Sequence, residues 1–312
     1  MDRGEVVLAK GYGRADKDRP RPNDANTVFR IGSLSKQFTA AAILALAHDG
    51  KLALRDPLTR FFPEYPRENL SKDGVEVTLH HLLCHTSGLA DARKTEYFKS
   101  RVWRRPIDKD ALVARSSSLP LVRTPGTKFE YLNYGYFLLG VVVERVSGRS
   151  YDDFLRNRLF APLGMTSSGT VLPEELSGRA AIGYHRSTSG SLTSMALDPE
   201  FGDRDLTMSL GSGQIYSTVT DLARWEGALA GGRVQGQAQL FQPNQEGYGY
   251  GWVIEEANGA QHFWHNGALS PLGFSSFMIR IPSKKRMIAY LSNLDVALTE
   301  ELEAKVAKLG LE

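Results

Sequence analysis

The chain has a single cysteine, Cys84, among its 312 residues, so no disulfide can close within it. That agrees with a reducing compartment without establishing one. Long hydrophobic runs are also missing. The longest, residues 40–47, falls well short of the ~20 apolar residues that cross a bilayer, and reads as a buried helix. The opening Met1-Asp2-Arg3-Gly4 lacks the apolar stretch of a signal peptide, so a soluble chain with no membrane span is expected. Charge of one sign is scarce too: 38 Lys and Arg against 35 Asp and Glu leave a net +3. The densest basic cluster, Arg101, Arg104 and Arg105 around Trp103, reads as a solvated turn and not a nucleic-acid stripe. No Gly-x-Ser-x-Gly occurs, which excludes the strand-to-helix serine elbow of the α/β-hydrolases. There are no internal repeats or low-complexity tracts.

What is present is ordinary globular material, 42% hydrophobic and 23% charged. Residues 5–12 alternate like a strand, and 27–31 read as a second extended piece. From residue 33 to 48 the pattern is helical and apolar on nearly every side, so this helix belongs in the interior. Residues 52–185 are mostly helices and loops: a short helix opened by Thr78, one capped by Asp108, a strong amphipathic one after Asn133, and one over 151–160. Thr220 is expected to cap a helix over 221–229. Strand-like runs follow at 250–255, 262–265, 274–281 and 287–291, and an amphipathic helix at 299–309 closes the chain. Strand material at both ends with helices between predicts a sheet domain, 1–51 and 186–312, holding an inserted helical domain, 52–185.

Ser33-Leu34-Ser35-Lys36 opens the buried helix. The i, i+3 spacing puts Ser33 and Lys36 on one face, beside the free N–H groups and positive end of the helix. A serine there can attack a carbonyl if a neighbour takes its proton, and a desolvated lysine can be that neighbour or can support another base. About one Ser-x-x-Lys is expected by chance in a chain this long, and a serine at that place can simply cap the helix. Tyr131-Leu132-Asn133 adds a phenol that can act as a base near an ammonium. Asn133 can offer its amide to a substrate carbonyl or cap its own helix. His265-Asn266-Gly267 lies at the end of a strand-like run. Gly267 would let a substrate lie close, and the backbone N–H of Ala268 paired with that of Ser33 can form an oxyanion hole.

Ser33-x-x-Lys36, Tyr131-x-Asn133 and His265-x-Gly267 in this order resemble the three motifs of the penicillin-binding-protein-like serine hydrolases. The likeness is greatest to the branch of class C β-lactamases, DD-carboxypeptidases with His-x-Gly, D-aminopeptidases and β-lactamase-like carboxylesterases. His85-Thr86-Ser87-Gly88-Leu89, residues 134–140, 217–222 and 267–275 look like the same family. The resemblance implies an α/β (α+β) fold of the β-lactamase/DD-peptidase type: an antiparallel sheet flanked by helices, an all-helical domain, and a site in the groove between them. It implies an acyl-enzyme on Ser33, proton handling by Tyr131 and Lys36, substrate contacts from Asn133, His265 and Gly267, and no metal or cofactor. His265 would stand where many relatives carry a lysine. With an ordinary pKa near ~6.5 it would hold a substrate carboxylate less firmly, which favours esters over β-lactams, although some relatives with this histidine cleave peptides ending in a carboxylate; the expected partner is a small-molecule ester or amide substrate. Such relatives usually carry a helix and a strand before the one read at 5–12, and here the chain begins almost at that strand.

The leading expectation is therefore a carboxylesterase for small acyl esters. The alternatives are a D-aminopeptidase or D-Ala-D-Ala carboxypeptidase-like enzyme with weak β-lactamase activity, or a catalytically silent relative that binds peptidoglycan fragments or serves as a structural protein. Zinc at His80, His81, Cys84 and His85 is set aside because no acidic ligand accompanies them. Cys84 reads as a packing residue. Gly247, Gly249 and Gly251 alternate with aromatics as in a strand and not a phosphate loop. Residues 95–106 and 201–206 are expected to wall the pocket.

Overall fold

A helix that is apolar all round can only be stable where it is surrounded, and residues 34–46 meet that condition. A 3-10 turn, Gly32–Leu34, runs directly into α1 (Ser35–His48), whose residues 35–46 are all buried. Phe38 sits at its centre, with its ring 5.3 Å from Phe160 and 4.7 Å from Trp225. Each fully buried side chain of this size contributes ~1.5–3 kcal/mol through removal from water. The computed structural model describes residues 1–91, 108–187, 189–194, 206–269, 272–294, 304–306 and 308. The basic cluster at 101–105, the expected wall at 95–106, residues 201–205 and most of the closing helix lie outside them.

Two helices, α2 (Leu79–Leu83) and α3 (Lys109–Ser117), join α4 (Asn133–Ser147), α2 by packing and α3 through the Lys109–Glu144 ion pair, while α4, α5 (Tyr151–Leu155) and, through Trp225, α6 (Val219–Ala230) pack against α1. Thr78 and Asp108 cap α2 and α3 as expected, accepting from His81 N and Ala111 N. The cap of α6 is Thr218 and not Thr220. Thr218 has the extended backbone that a cap needs and accepts from Asp221 N at 3.0 Å, whereas Thr220 already lies within the helix and donates to Ala25 O.

Four antiparallel strands form the sheet in the order β4-β3-β2-β1: β1 (Val253–Ala257), β2 (Ala260–Leu269), β3 (Phe274–Ile281) and β4 (Arg286–Ser292). All of β3 is buried, and its alternation shows why both faces need covering. Met278 and Arg280 face the main core and α6, where Arg280 pairs with buried Glu226. Phe277, Ile279 and Ile281 point the other way, onto Val306 of the closing segment.

Residues 5–12 are not a strand. Val6, Val7 and Leu8 are 55%, 69% and 68% exposed, and only Met1 pairs with β4, through two backbone bonds to Met287. Alternation selects a face but supplies no partner for the backbone, and without a partner no ladder forms. A two-stranded ribbon, Arg14–Asp16 with Arg21–Pro22, follows instead.

Candidate active site

The 3-10 turn that precedes α1 presents Ser33, half-buried, and one turn later the helix buries Lys36 completely. Lys36 Nζ lies 2.9 Å from Ser33 Oγ, 2.6 Å from Asn133 Oδ1 and 2.9 Å from the carbonyl oxygen of Ser212. The last two atoms can only accept, so they take two of the amine's protons in either charge state. Nζ also reaches Ser33 Oγ, to which it donates when charged and from which it accepts when neutral. The Tyr131 and Tyr136 rings stand 4.7 and 5.5 Å from Nζ, an arrangement that favours the cation.

Asn133 is not a helix cap. Leu132 occupies that position without a side-chain bond, and Asn133 begins α4 with its amide oxygen committed to Lys36. Tyr131, just before, is 39% exposed and faces the same space.

β2 comes against the Ser33 turn from the sheet side. A methyl group on Gly267 would stand 2.2 Å from Ile31 O and 3.1 Å from Ser33 N, and one on Gly32 would stand 2.7 Å from Ala268 N. Two glycines therefore let strand and turn approach to backbone contact, with the nitrogens of Ser33 and Ala268 at the junction. Gly267 was expected to make room for a substrate, but what it admits is the chain's own turn. Ser276 of β3 fastens the same turn by donating from Oγ to Ile31 O at 2.8 Å.

His265 differs from its expected role as a contact for a substrate carboxylate. It is 3% exposed, its Nε2 accepts from the phenol of Tyr248 at 3.0 Å, and its Nδ1 is 2.5 Å from Asn266 O. Both ring nitrogens are engaged within the protein. Burial, and then the nearby Lys36 charge, push its pKa down to about 3, so the ring is neutral at ordinary pH.

Neither Ser212 nor Tyr248 was singled out from the sequence. Ser212 acts through a backbone oxygen, which has no side-chain signature; its loop is held on α1 by Thr39 Oγ1 donating to Gly211 O and Ile215 N donating to Ser35 Oγ. The histidines and cysteine once weighed for zinc do other work. His80 Nδ1 meets Tyr250 OH, His81 completes the Thr78 cap, and buried Cys84 donates to His80 O.

An antiparallel sheet, a buried central helix and a serine–lysine pair at the start of that helix make this a mixed α/β protein. The chain matches the Beta-lactamase family over residues 1–311, and belongs to it. It is 30% identical to penicillin-binding protein 4* of Bacillus subtilis (strain 168) over 93% of this chain and 66% of that one. Among solved structures, it resembles a penicillin-binding protein from Bacillus halodurans, at 26% identity, with a TM-score of 0.82 over 99% of this chain and 94% of that one. It also resembles the D-amino acid amidase of Ochrobactrum anthropi SV3, at 26% identity, with a TM-score of 0.75 over 94% and 84%. The chain spans between 58% and 66% of the length of the curated relatives that it matches first.

Proposed function

We propose that the chain hydrolyses small acyl esters through an acyl-enzyme on Ser33. The observation that carries this reading is the fully buried Lys36, with Nζ 2.9 Å from Ser33 Oγ, 2.6 Å from Asn133 Oδ1 and 2.9 Å from Ser212 O. An amine held in the interior is costly to charge, and one placed within hydrogen-bond reach of a half-buried serine is a candidate for chemistry.

In this reading Ser33 Oγ attacks the acyl carbon while its proton passes to Tyr131, with Lys36 stabilising the phenolate. The oxyanion is taken by the N–H groups of Ser33 and Ala268. Asn133, anchored by its oxygen, offers its amide nitrogen to the substrate. The proton returns to the leaving alcohol, and water then releases the acid from Ser33. Ser33, Lys36 and His265 come from the proposed sheet domain, 1–51 and 186–312, while Tyr131 and Asn133 come from the helical one, 52–185, so the substrate lies between them. A neutral His265 with both nitrogens occupied supports substrates without a carboxylate at that place.

The second reading is hydrolysis of D-amino acid amides or D-peptides, which the likeness to the Ochrobactrum amidase favours. The deciding experiment is release of nitrophenol from a short-chain p-nitrophenyl ester, with Ser33→Ala purified alongside. Serine-dependent release supports the ester reading. No release above Ser33→Ala, together with turnover of a D-amino acid amide, replaces it with the second.

A further inference from the structure

His85 begins the His85-Thr86-Ser87-Gly88-Leu89 segment, to which the proposed chemistry assigns nothing. Its backbone φ is +59°, a left-handed conformation uncommon for a residue with a side chain. The geometry around it explains what that conformation accomplishes. The His85 carbonyl oxygen accepts from Glu130 N at 2.8 Å, and His85 Nδ1 accepts from Leu132 N at 3.1 Å. Glu130 and Leu132 are the residues on either side of Tyr131. The imidazole ring also lies against the Tyr131 ring, with centroids 4.3 Å apart, and against Tyr136 and Tyr248 at 5.1 and 4.8 Å. The grip extends along the chain, since Gly126 N donates to Thr86 O and Val122 N to Gly88 O. Every one of these bonds runs from residues 122–132 into acceptors of residues 85–88. The segment is a template on which the stretch that ends in Tyr131 and Asn133 is laid out.

We infer that His85 is a positioning residue for the proposed reaction, holding the Tyr131 phenol in place over Lys36 and Ser33 by accepting the backbone N–H groups on both sides of it. The inference rests on the Ser33 reading for the reaction that it serves. Only an imidazole with Nδ1 unprotonated can accept from Leu132, so the proton of the neutral ring resides on Nε2. That nitrogen is buried and has no hydrogen-bond partner among the described residues. The cost is accepted because the opposite tautomer would set two N–H groups against each other. Burial, then Lys36 and then His265 hold the ring well below its usual pKa, which keeps Nδ1 free; Tyr131, Tyr136 and Tyr248 are the other titratable groups around it.

Two substitutions separate this role from simple packing. In His85→Asn the side-chain Oδ1 stands where Nδ1 stood, and asparagine tolerates a left-handed backbone. His85→Leu fills space but accepts nothing. Hydrogen exchange of the Leu132 amide and the kcat and KM of Ser33-dependent ester hydrolysis are measured for both variants and the wild type. The inference expects His85→Leu to lose Leu132 protection and about 10- to 100-fold in kcat with KM within about threefold, while His85→Asn recovers most of both. Equal losses in the two variants, or an unchanged Leu132 exchange rate in His85→Leu, would overturn it. Because amide exchange needs no turnover, it tests the clamp even if Ser33→Ala proves fully active, an outcome that defeats the Ser33 reading alone.

Discussion

The phenol of Tyr248 donates to Nε2 of His265 across 3.0 Å, and this bond decides how the site responds to acid. Protonating His265 would place a hydrogen on the nitrogen that now accepts, in a buried place already close to Lys36. Its folded pKa of about 3 lies below the ordinary 6.5, so between these values the unfolded chain binds the proton and the folded chain does not. Stability from this group is therefore complete above pH 6.5 and falls as pH drops towards 3. Melting temperatures of the wild type and His265→Gln at pH 7 and pH 4.5 test it. The drop between the two is expected to be smaller by a few degrees in the variant; equal drops would show that His265 is not a source of acid sensitivity.

Lys36 is expected to be the opposite case, a residue whose removal spares the fold and ends the chemistry. Lys36→Met keeps the volume and removes a buried ammonium, a change that is often neutral or stabilising, although Asn133 Oδ1 and Ser212 O lose their donor. We expect turnover to fall by about 10³-fold or more while the melting temperature stays within a few degrees of the wild type. Thermal melts alongside initial rates check this. A fall of more than about 10 °C would recast Lys36 as a structural hub.

Gly267→Ala tests the contact between β2 and the Ser33 turn. The new methyl would meet Ile31 O and Ser276 Oγ, two atoms already hydrogen-bonded to each other. Overpacking of this kind costs ~1–3 kcal/mol, and it separates Ala268 N from Ser33 N. An oxyanion donor so displaced costs about 10²-fold in kcat or more. Denaturant melts and kcat measured together should show both losses. Wild-type turnover in this variant would remove Ala268 from the oxyanion site.

The parts of this site that can be read from the sequence are those set by local geometry. Ser33 and Lys36 are one turn apart on a helix, and Tyr131 and Asn133 bracket a helix start, so their placement needs no knowledge of distant neighbours. His265 was placed on its strand correctly, but what its ring touches depends on Tyr248, 17 residues away across a turn. The bond from Leu132 N to His85 Nδ1 spans 47 residues and has no local signature at all. Residues 5–12 fail for a related reason, because an alternating pattern cannot say whether another strand lies alongside. Thr220 was read as the cap by its residue type, which Thr218 shares, and only the backbone conformation separates the two.

Tyr131 has two separable parts, a ring 4.7 Å from the Lys36 ammonium and a hydroxyl that the proposed mechanism uses as a base. Tyr131→Phe removes only the hydroxyl, whereas Tyr131→Ala removes both. If the phenol takes the Ser33 proton, Tyr131→Phe should lower kcat by about 10²- to 10⁴-fold with KM nearly constant, and Tyr131→Ala should be no worse in kcat. If the ring alone matters, by sheltering the ammonium, Tyr131→Phe should keep nearly the wild-type rate and Tyr131→Ala should lose it. Pre-steady-state release of nitrophenol locates the effect. A burst that slows in Tyr131→Phe places the phenol in acylation, and an unchanged burst followed by slower turnover places it in the attack of water on the acyl-enzyme. A wild-type burst and wild-type turnover in Tyr131→Phe would remove Tyr131 from proton transfer and leave Lys36, in its neutral form, as the base.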